Sequence, residues 1–333
     1  MSPSRATDDL DPRDPAPSDL PPVEAPSAGF IVQLFVIPAI IVAVVVAVWL
    51  LFGKLAGGER DAMEYVRLLR APDANWRAAN RAAFELASLI QNDPKLANDP
   101  ELLGELTDLL AHDLDHAGNP EMTQYVALAI GKFQTLDARS KGGQKIDPLP
   151  TLARALSDKE PTPVRIAAAA SLAKHAARVE GRLNDEKAVR ALGEASENGE
   201  SDLRQMAVYA LGFFGGDPAA QILRDRLNDP DRFVRYNAAV ALGRHGDPAA
   251  RGTLREMLST ADLSRAIELP TETERHHKVE AIELEALRAL QTSLDRKRPE
   301  LARSLRPEIT ALSKSGLVSV RNQALALLRG QPE

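Results

Sequence analysis

A pattern written most clearly in residues 227–243 returns, with variations, along most of the chain. The run Leu227-Asn228-Asp229-Pro230-Asp231-Arg232-Phe233-Val234-Arg235-Tyr236-Asn237-Ala238-Ala239-Val240-Ala241-Leu242-Gly243 reads as a helix end, a tight turn and a second helix. Its second half recurs 31 residues earlier as Leu203-Arg204-Gln205-Met206-Ala207-Val208-Tyr209-Ala210-Leu211-Gly212. The same scheme runs from Val164-Arg165 to Ala173 and from Val320-Arg321 to Arg329, and Trp76-Arg77, Met122-Thr123 and Val279-Glu280 open weaker copies. Taken at the arginine position (77, 123, 165, 204, 235, 280, 321), the copies lie 46, 42, 39, 31, 45 and 41 residues apart. Spacings of this size suit a repeated helix pair, a unit that cannot bury its apolar face alone and must stack on its neighbours.

The local chemistry agrees with that reading. Asp99-Pro100, Asp147-Pro148, Asp217-Pro218 and Asp247-Pro248 each precede a helical pattern. There an aspartate can cap free backbone N–H groups and proline suits the first helical position. Ala207, Ala210, Ala238 and Ala241 fall at helical spacing, so neighbouring helices can approach closely, with Leu211 and Leu242 filling the layer between them. Gly212, Gly215, Gly243 and Gly246 are expected to end the second helices in a left-handed cap conformation.

The Asp-Pro turn, the Val-Arg pair, the spaced alanines and the Leu-Gly end resemble HEAT repeats, in particular the short type named after phycobilisome lyases. The likeness runs over about residues 61–330 and is sharpest over 147–246. It implies an all-α, right-handed α-solenoid of about seven HEAT-like helix pairs, with the second helices lining a concave face. It also implies a ladder between turn aspartates and second-helix arginines, here Asp229 with Arg235 and Asp202 with Arg204. Thr123 and Glu280 stand where two of the units would carry the arginine.

Ahead of the repeats lies a different kind of sequence. Residues 1–29 are rich in Pro, Ala, Ser and Asp, with only Leu10, Leu20 and Val23 to bury, and are expected to be a disordered acidic tail. From Phe30 to Phe52 there is no charge, Gln33 is the one polar side chain, and 17 of the 23 residues are Phe, Ile, Leu or Val. At about 1.5 Å per residue this is roughly 34 Å of helix, enough for a hydrocarbon core of about 30 Å. Residues 30–52 are therefore expected to form one transmembrane helix, bent at Pro38 and followed by a linker at 53–60. A secretory signal would have a shorter apolar region, nearby basic charge before it and a small-residue cleavage site after it. Lys54, Arg60, Arg67 and Arg70 follow the span, against Arg13 before it, which places the solenoid in the cytoplasm by the positive-inside rule.

Charge and composition narrow the function. The net charge of −6 comes largely from the tail, whose Arg5 and Arg13 face five aspartates and Glu24, leaving −2 for everything after residue 29. A near-neutral body argues against bulk nucleic-acid binding, which needs clustered cations to neutralise phosphates. The absence of cysteine excludes disulfides, thiolate metal sites and a cysteine nucleophile. His112 and His116 share a helical face beside Asp113 and Asp115, but the glutamate that follows the first histidine of a zinc-protease helix is missing. No Ser-His-Asp order, phosphate-cradling loop or nucleotide fingerprint is present, so neither enzyme activity, cofactor nor metal is expected. Bilin attachment is carried by the family likeness alone, and fold does not imply function.

A protein-binding surface is the better expectation. Five of the ten aromatics after the span, Tyr209, Phe213, Phe214, Phe233 and Tyr236, fall within 28 positions. At the 31-residue offset Gln205 aligns with Tyr236, Met206 with Asn237, Tyr209 with Val240, and Phe213 with Arg244. Tyr209, Phe213, Tyr236 and Arg244 are accordingly the expected partner-binding residues, being aromatics and an arginine of the kind that dominate interfaces, whereas Phe214 and Phe233 suit the core. Two further features stand out: about 14 extra residues within 259–278, and a basic C-terminal stretch holding Arg296-Lys297-Arg298. The stretch could serve nucleic acid or anionic lipid, and makes a nucleic-acid-binding or base-modifying repeat protein the alternative reading. The chain is thus expected to be a membrane-anchored scaffold for an unknown protein partner, held by the bilayer through residues 30–52.

Overall fold

The computed structural model describes residue 29 and residues 37–56, 62–71, 76–116, 118–179 and 182–330, with side chains over 39–49 only in the first of these segments. The tail expected at 1–29, apart from Gly29, residues 30–36 of the expected transmembrane helix and residues 57–60 of the linker lie outside the described residues. The chain divides into two compact parts, Met1–Arg60 and Asp61–Glu333. In the first, helix α1 (Ile37–Ala56) exposes every described side chain from residue 39 to 49. Counting described residues only, no helix is long and apolar enough to cross a membrane.

The second part is built from helix pairs: α2 (Ala62–Arg70) with α3 (Trp76–Asn92), α4 (Pro100–Asp115) with α5 (Pro120–Ile130), and α6 (Pro148–Arg154) with α7 (Thr162–Arg178). They continue as α8 (Glu186–Ala195) with α9 (Ser201–Leu211) and α10 (Asp217–Arg226) with α11 (Arg232–Arg244). In the sixth unit α12 (Arg251–Met257) and α13 (Thr260–Ala266) precede α14 (Glu272–Asp295), and in the seventh α15 (Glu300–Ser304) and α16 (Arg306–Leu312) precede α17 (Val318–Gly330). Second helices pack in sequence order, α3 on α5, then α7, α9, α11, α14 and α17, so each unit's apolar face is covered by the next. The repeat position sits at the fourth residue of five second helices, as Thr123, Arg165, Arg204, Arg235 and Arg321. Glu280 is the ninth residue of α14, because the extra residues are absorbed in α13 and in an N-terminal extension of α14 closed by a Thr271–Glu274 capping box.

Caps account for where the helices begin. Asp99, Asp147 and Asp247 accept hydrogen bonds from the N–H groups of Glu101, Leu149 and Ala249, as their Asp-Pro sequences predict. Asp217 does not: Gly216, at φ 92°, occupies the cap and Asp217 falls inside α10, where its charge still suits the positive end of the helix.

The glycines have another reason than the one expected. Of Gly212, Gly215, Gly243 and Gly246, only Gly246 is left-handed, at φ 69°. Gly212 is right-handed at φ −63° and Gly243 lies within α11. They permit close approach: a Cβ on Gly212 would stand 2.7 Å from the Cβ of Ala241, and one on Gly131 would stand 2.4 Å from Ser171 Oγ. The all-α expectation also misses a small antiparallel hairpin, Ala138–Arg139 with Lys145–Ile146, between α5 and α6. It lies on α4, where a Cβ at Gly104 would meet the Arg139 carbonyl oxygen at 2.0 Å. Lys141 and Arg70 reach buried Glu105 from either side, at 3.6 and 3.0 Å.

The ladder joins different partners from those expected. Arg204 does not pair with Asp202; its Nε and Nη2 both donate, at 3.0 Å, to the two carboxylate oxygens of Asp229 in the next unit's turn. Arg235 meets Asp229 only through the backbone, donating to the carbonyls of Asp229 and Pro230. Arg165, Arg204 and Arg321 likewise donate to carbonyls of their own turns, at Leu156, Asn198 with Gly199, and Ser315. In these four units the arginine thus satisfies carbonyls left free where the first helix ends.

Candidate functional site

The open face of α7, α9 and α11 carries the candidate surface. On α9, Gln205, Met206 and Tyr209 fall on one side at helical spacing, and Phe213 follows in the turn. Tyr209 is 44% exposed, and its ring meets that of Phe213 edge-on at 5.0 Å between centroids. From α11 the Arg244 guanidinium lies over Phe213, 5.0 Å from the ring centroid, so Phe213 is held between a phenol and a cation. Burial pulls the Arg244 pKa below its ordinary value, with Tyr209 and Glu285 opposing the shift. Beside Tyr209 a recess of about 500 Å³ is lined by Ile166, Asp202, Gln205, Met206 and Asn237. Asn237 donates to the backbone oxygen of Gln205 at 3.1 Å, fixing the floor between α9 and α11. Three of the four expected residues, Tyr209, Phe213 and Arg244, therefore come together.

Tyr236 does not join them. It is 3% exposed, and its hydroxyl donates to Glu256 of α12 at 2.6 Å. Its ring packs edge-on against half-buried Phe233 at 6.2 Å. Burial first, then Glu256, push the phenol pKa well up. The 31-residue alignment set Tyr236 beside Gln205, but the residue that reaches the Gln205 backbone on the open face is Asn237, one position on. Tyr236 sits one residue round α11, on the stripe that meets α12, so it is a core residue with a satisfied polar tip.

The remaining sequence candidates resolve individually. His112 and His116 stack at 4.3 Å, with His116 Nδ1 2.9 Å from the His112 carbonyl oxygen. Among the described residues no group of three or more His, Asp or Glu could hold a metal ion. The basic triplet is exposed, with two of its members tied to the preceding unit: Arg298 donates to the His245 carbonyl at 2.7 Å and Arg296 lies 3.2 Å from His245 Nδ1. The extra residues are anchored too, by buried Leu263 and Ile267 and by a hydrogen bond from the Thr260 hydroxyl to buried Glu283.

Residues 171–235 and 203–269 match the HEAT-repeat family, and no curated protein matches the chain. Among solved structures, an engineered protein is 18% identical over 81% of this chain and 98% of its own, with a TM-score of 0.41. A designed armadillo repeat protein in complex with a (KR)4 peptide is 16% identical over 81% and 99%, at a TM-score of 0.37. Human deoxyhypusine hydroxylase in complex with glycerol is 19% identical over 84% and 98%, at 0.30. The chain carries HEAT repeats over 171–269, set within an α-solenoid of stacked helix pairs.

Proposed function

We propose that this protein is a membrane-anchored HEAT-repeat scaffold, without enzymatic activity, that docks a protein partner on the open face of α7, α9 and α11. The observation that carries this reading is the exposed Tyr209, braced through Phe213 by Arg244 beside a recess of mixed polarity. An aromatic already held in place loses little freedom on binding, and aromatic and arginine anchors supply most of the energy at interfaces. The anchor rests on the uncharged run from Phe30 to Phe52, and the cytoplasmic side for the solenoid rests on Lys54, Arg60, Arg67 and Arg70.

Affinity capture from solubilised membranes, run beside melting curves, tests the surface. Tyr209→Ala should abolish recovery of the main partner and leave the melt nearly unchanged, because an exposed anchor contributes to binding rather than folding. Tyr236→Ala should instead cost about 3–5 kcal/mol of stability, as truncation of a buried aromatic does. Undiminished capture by Tyr209→Ala would remove this face from consideration. For the anchor, replacing Ile41, Val45 and Val48 together by Arg should release the chain from the membrane fraction, and a reporter that works only in the cytoplasm should be active when fused at residue 333.

A further inference from the structure

At the C-terminal ends of α5 and α7 three cations gather with no counter-ion among the described residues. Lys132 follows α5, and Lys174 and Arg178 lie in the last turns of α7. Helix C-termini attract cations, so the first question is whether the backbone already neutralises them. It does so for one. Carbonyls at the end of α5 are met in order by side chains of α7: Ala127 O by Ser171 Oγ at 2.6 Å, Ile130 O by His175 Nε2 at 3.0 Å beside the Phe133 N–H, and Gly131 O by Arg178 Nη2 at 3.1 Å. Arg178 Nη1 also meets His175 Nδ1 at 3.2 Å, and Lys132 Nζ donates to the Gln91 side-chain oxygen. Lys174 has no hydrogen-bond or ion-pair partner among the described residues, and none of the three cations forms an ion pair there.

The space between them is a recess of about 490 Å³ lined by Gln91, Gly131, Lys132, Gln134, Lys174 and Arg178, with no carboxylate among the described residues. Burial, then Lys132 and Arg178, lower the Lys174 pKa, as expected of an ammonium group partly withdrawn from water and facing like charge. A ligand carboxylate placed there would relieve both. We propose that Lys132, Lys174 and Arg178 form a docking site for the carboxylates of an acidic protein segment, with the Gln91 and Gln134 amides serving its backbone. Two observations favour a peptide over nucleic acid. The cluster holds three cations rather than an extended basic stripe, and no aromatic side chain lines the recess for a base to stack on. The site is separate from the aromatic face and stands whether or not Tyr209 binds a partner.

The test is fluorescence anisotropy of a labelled octaglutamate peptide with the full chain in mild detergent. Saturable binding that weakens with salt is expected, and Lys174→Gln or Lys132→Gln should each weaken it roughly five-fold. The double variant K132E/K174E should abolish binding with an unchanged melting temperature. Lys187→Gln, on the exposed face of α8, should leave it intact. Failure of the unaltered chain to bind, or equal binding by K132E/K174E, would overturn the proposal. So would displacement of the peptide by inorganic phosphate where acetate at matched ionic strength has no effect, since the site would then be one for phosphate.

Discussion

Arg204→Ala should be among the most damaging single changes in the solenoid. The Arg204–Asp229 pair spans two units through two parallel bonds of 3.0 Å, with the side chains only 11% and 4% exposed. Deleting the arginine leaves a buried carboxylate whose other bond shown is from the Asp231 N–H at 2.8 Å. Breaking a buried pair from one side costs about 3–5 kcal/mol, because the remaining charge keeps its desolvation penalty and loses its partner. The Asn198 and Gly199 carbonyls lose their donor as well, so the upper end of that range is expected. Arg204→Lys should fall between, since an ammonium cannot reproduce a two-pronged bond. Asp229→Ala combined with Arg204→Ala should cost less than the sum of the single changes by about 1–3 kcal/mol. Urea titration of the full chain, followed by circular dichroism in mild detergent, gives all these values in one series. A loss below about 1 kcal/mol for Arg204→Ala, the range of exposed pairs, or strict additivity in the cycle, would refute the buried-ladder account.

Three further outcomes follow from packing and burial. Leu242→Ala, at a side chain 1% exposed in the fifth unit, should cost about 2–5 kcal/mol and destabilise its neighbours, whereas Leu328→Ala in the half-buried terminal position should cost less; equal losses on denaturation would contradict a linear array. Gly212→Ala should destabilise by about 1–3 kcal/mol despite the better helix propensity of alanine, since the new Cβ would be 2.7 Å from that of Ala241, and a melting temperature raised by the change would disprove the close approach. His175 is 2% exposed and its pKa is lowered from 6.5 to about 4, mainly by burial and then by Arg178. The unfolded chain takes up a proton on this residue near pH 6.5 and the folded chain only near 4, so its contribution is complete above 6.5 and is lost on acidification across that window, by about 3 kcal/mol in all. His175→Gln should remove that part of the acid dependence, and an unchanged stability-versus-pH curve would contradict it.

The sequence by itself determined the repeat. Seven positions spaced 31–46 residues apart mark seven stacked units, five of them helix pairs and the last two with an added short helix, because the alternation of turn, arginine, small residue and leucine is local and most copies restate it. Three of the four Asp-Pro caps were legible for the same reason: a cap is an interaction between residues two or three apart. What lay between units was not legible. Whether Asp229 pairs with the arginine 6 residues ahead or the one 25 residues behind depends on the stacking angle, and the structure selects Arg204. Tyr209 and Tyr236 are chemically alike, and one faces solvent while the other is buried, because a one-residue step turns a side chain about 100° round its helix. Lys132 and Lys174 are 42 residues apart, the same step as from Thr123 to Arg165, so the repeat already sets them at equivalent positions of neighbouring units. Only the close packing of α7 on α5, where Gly131 admits Ser171, decided their surroundings: Arg178 reaches the Gly131 carbonyl and both lysines line one recess, because those contacts depend on how two helices approach and not on the order of residues in either.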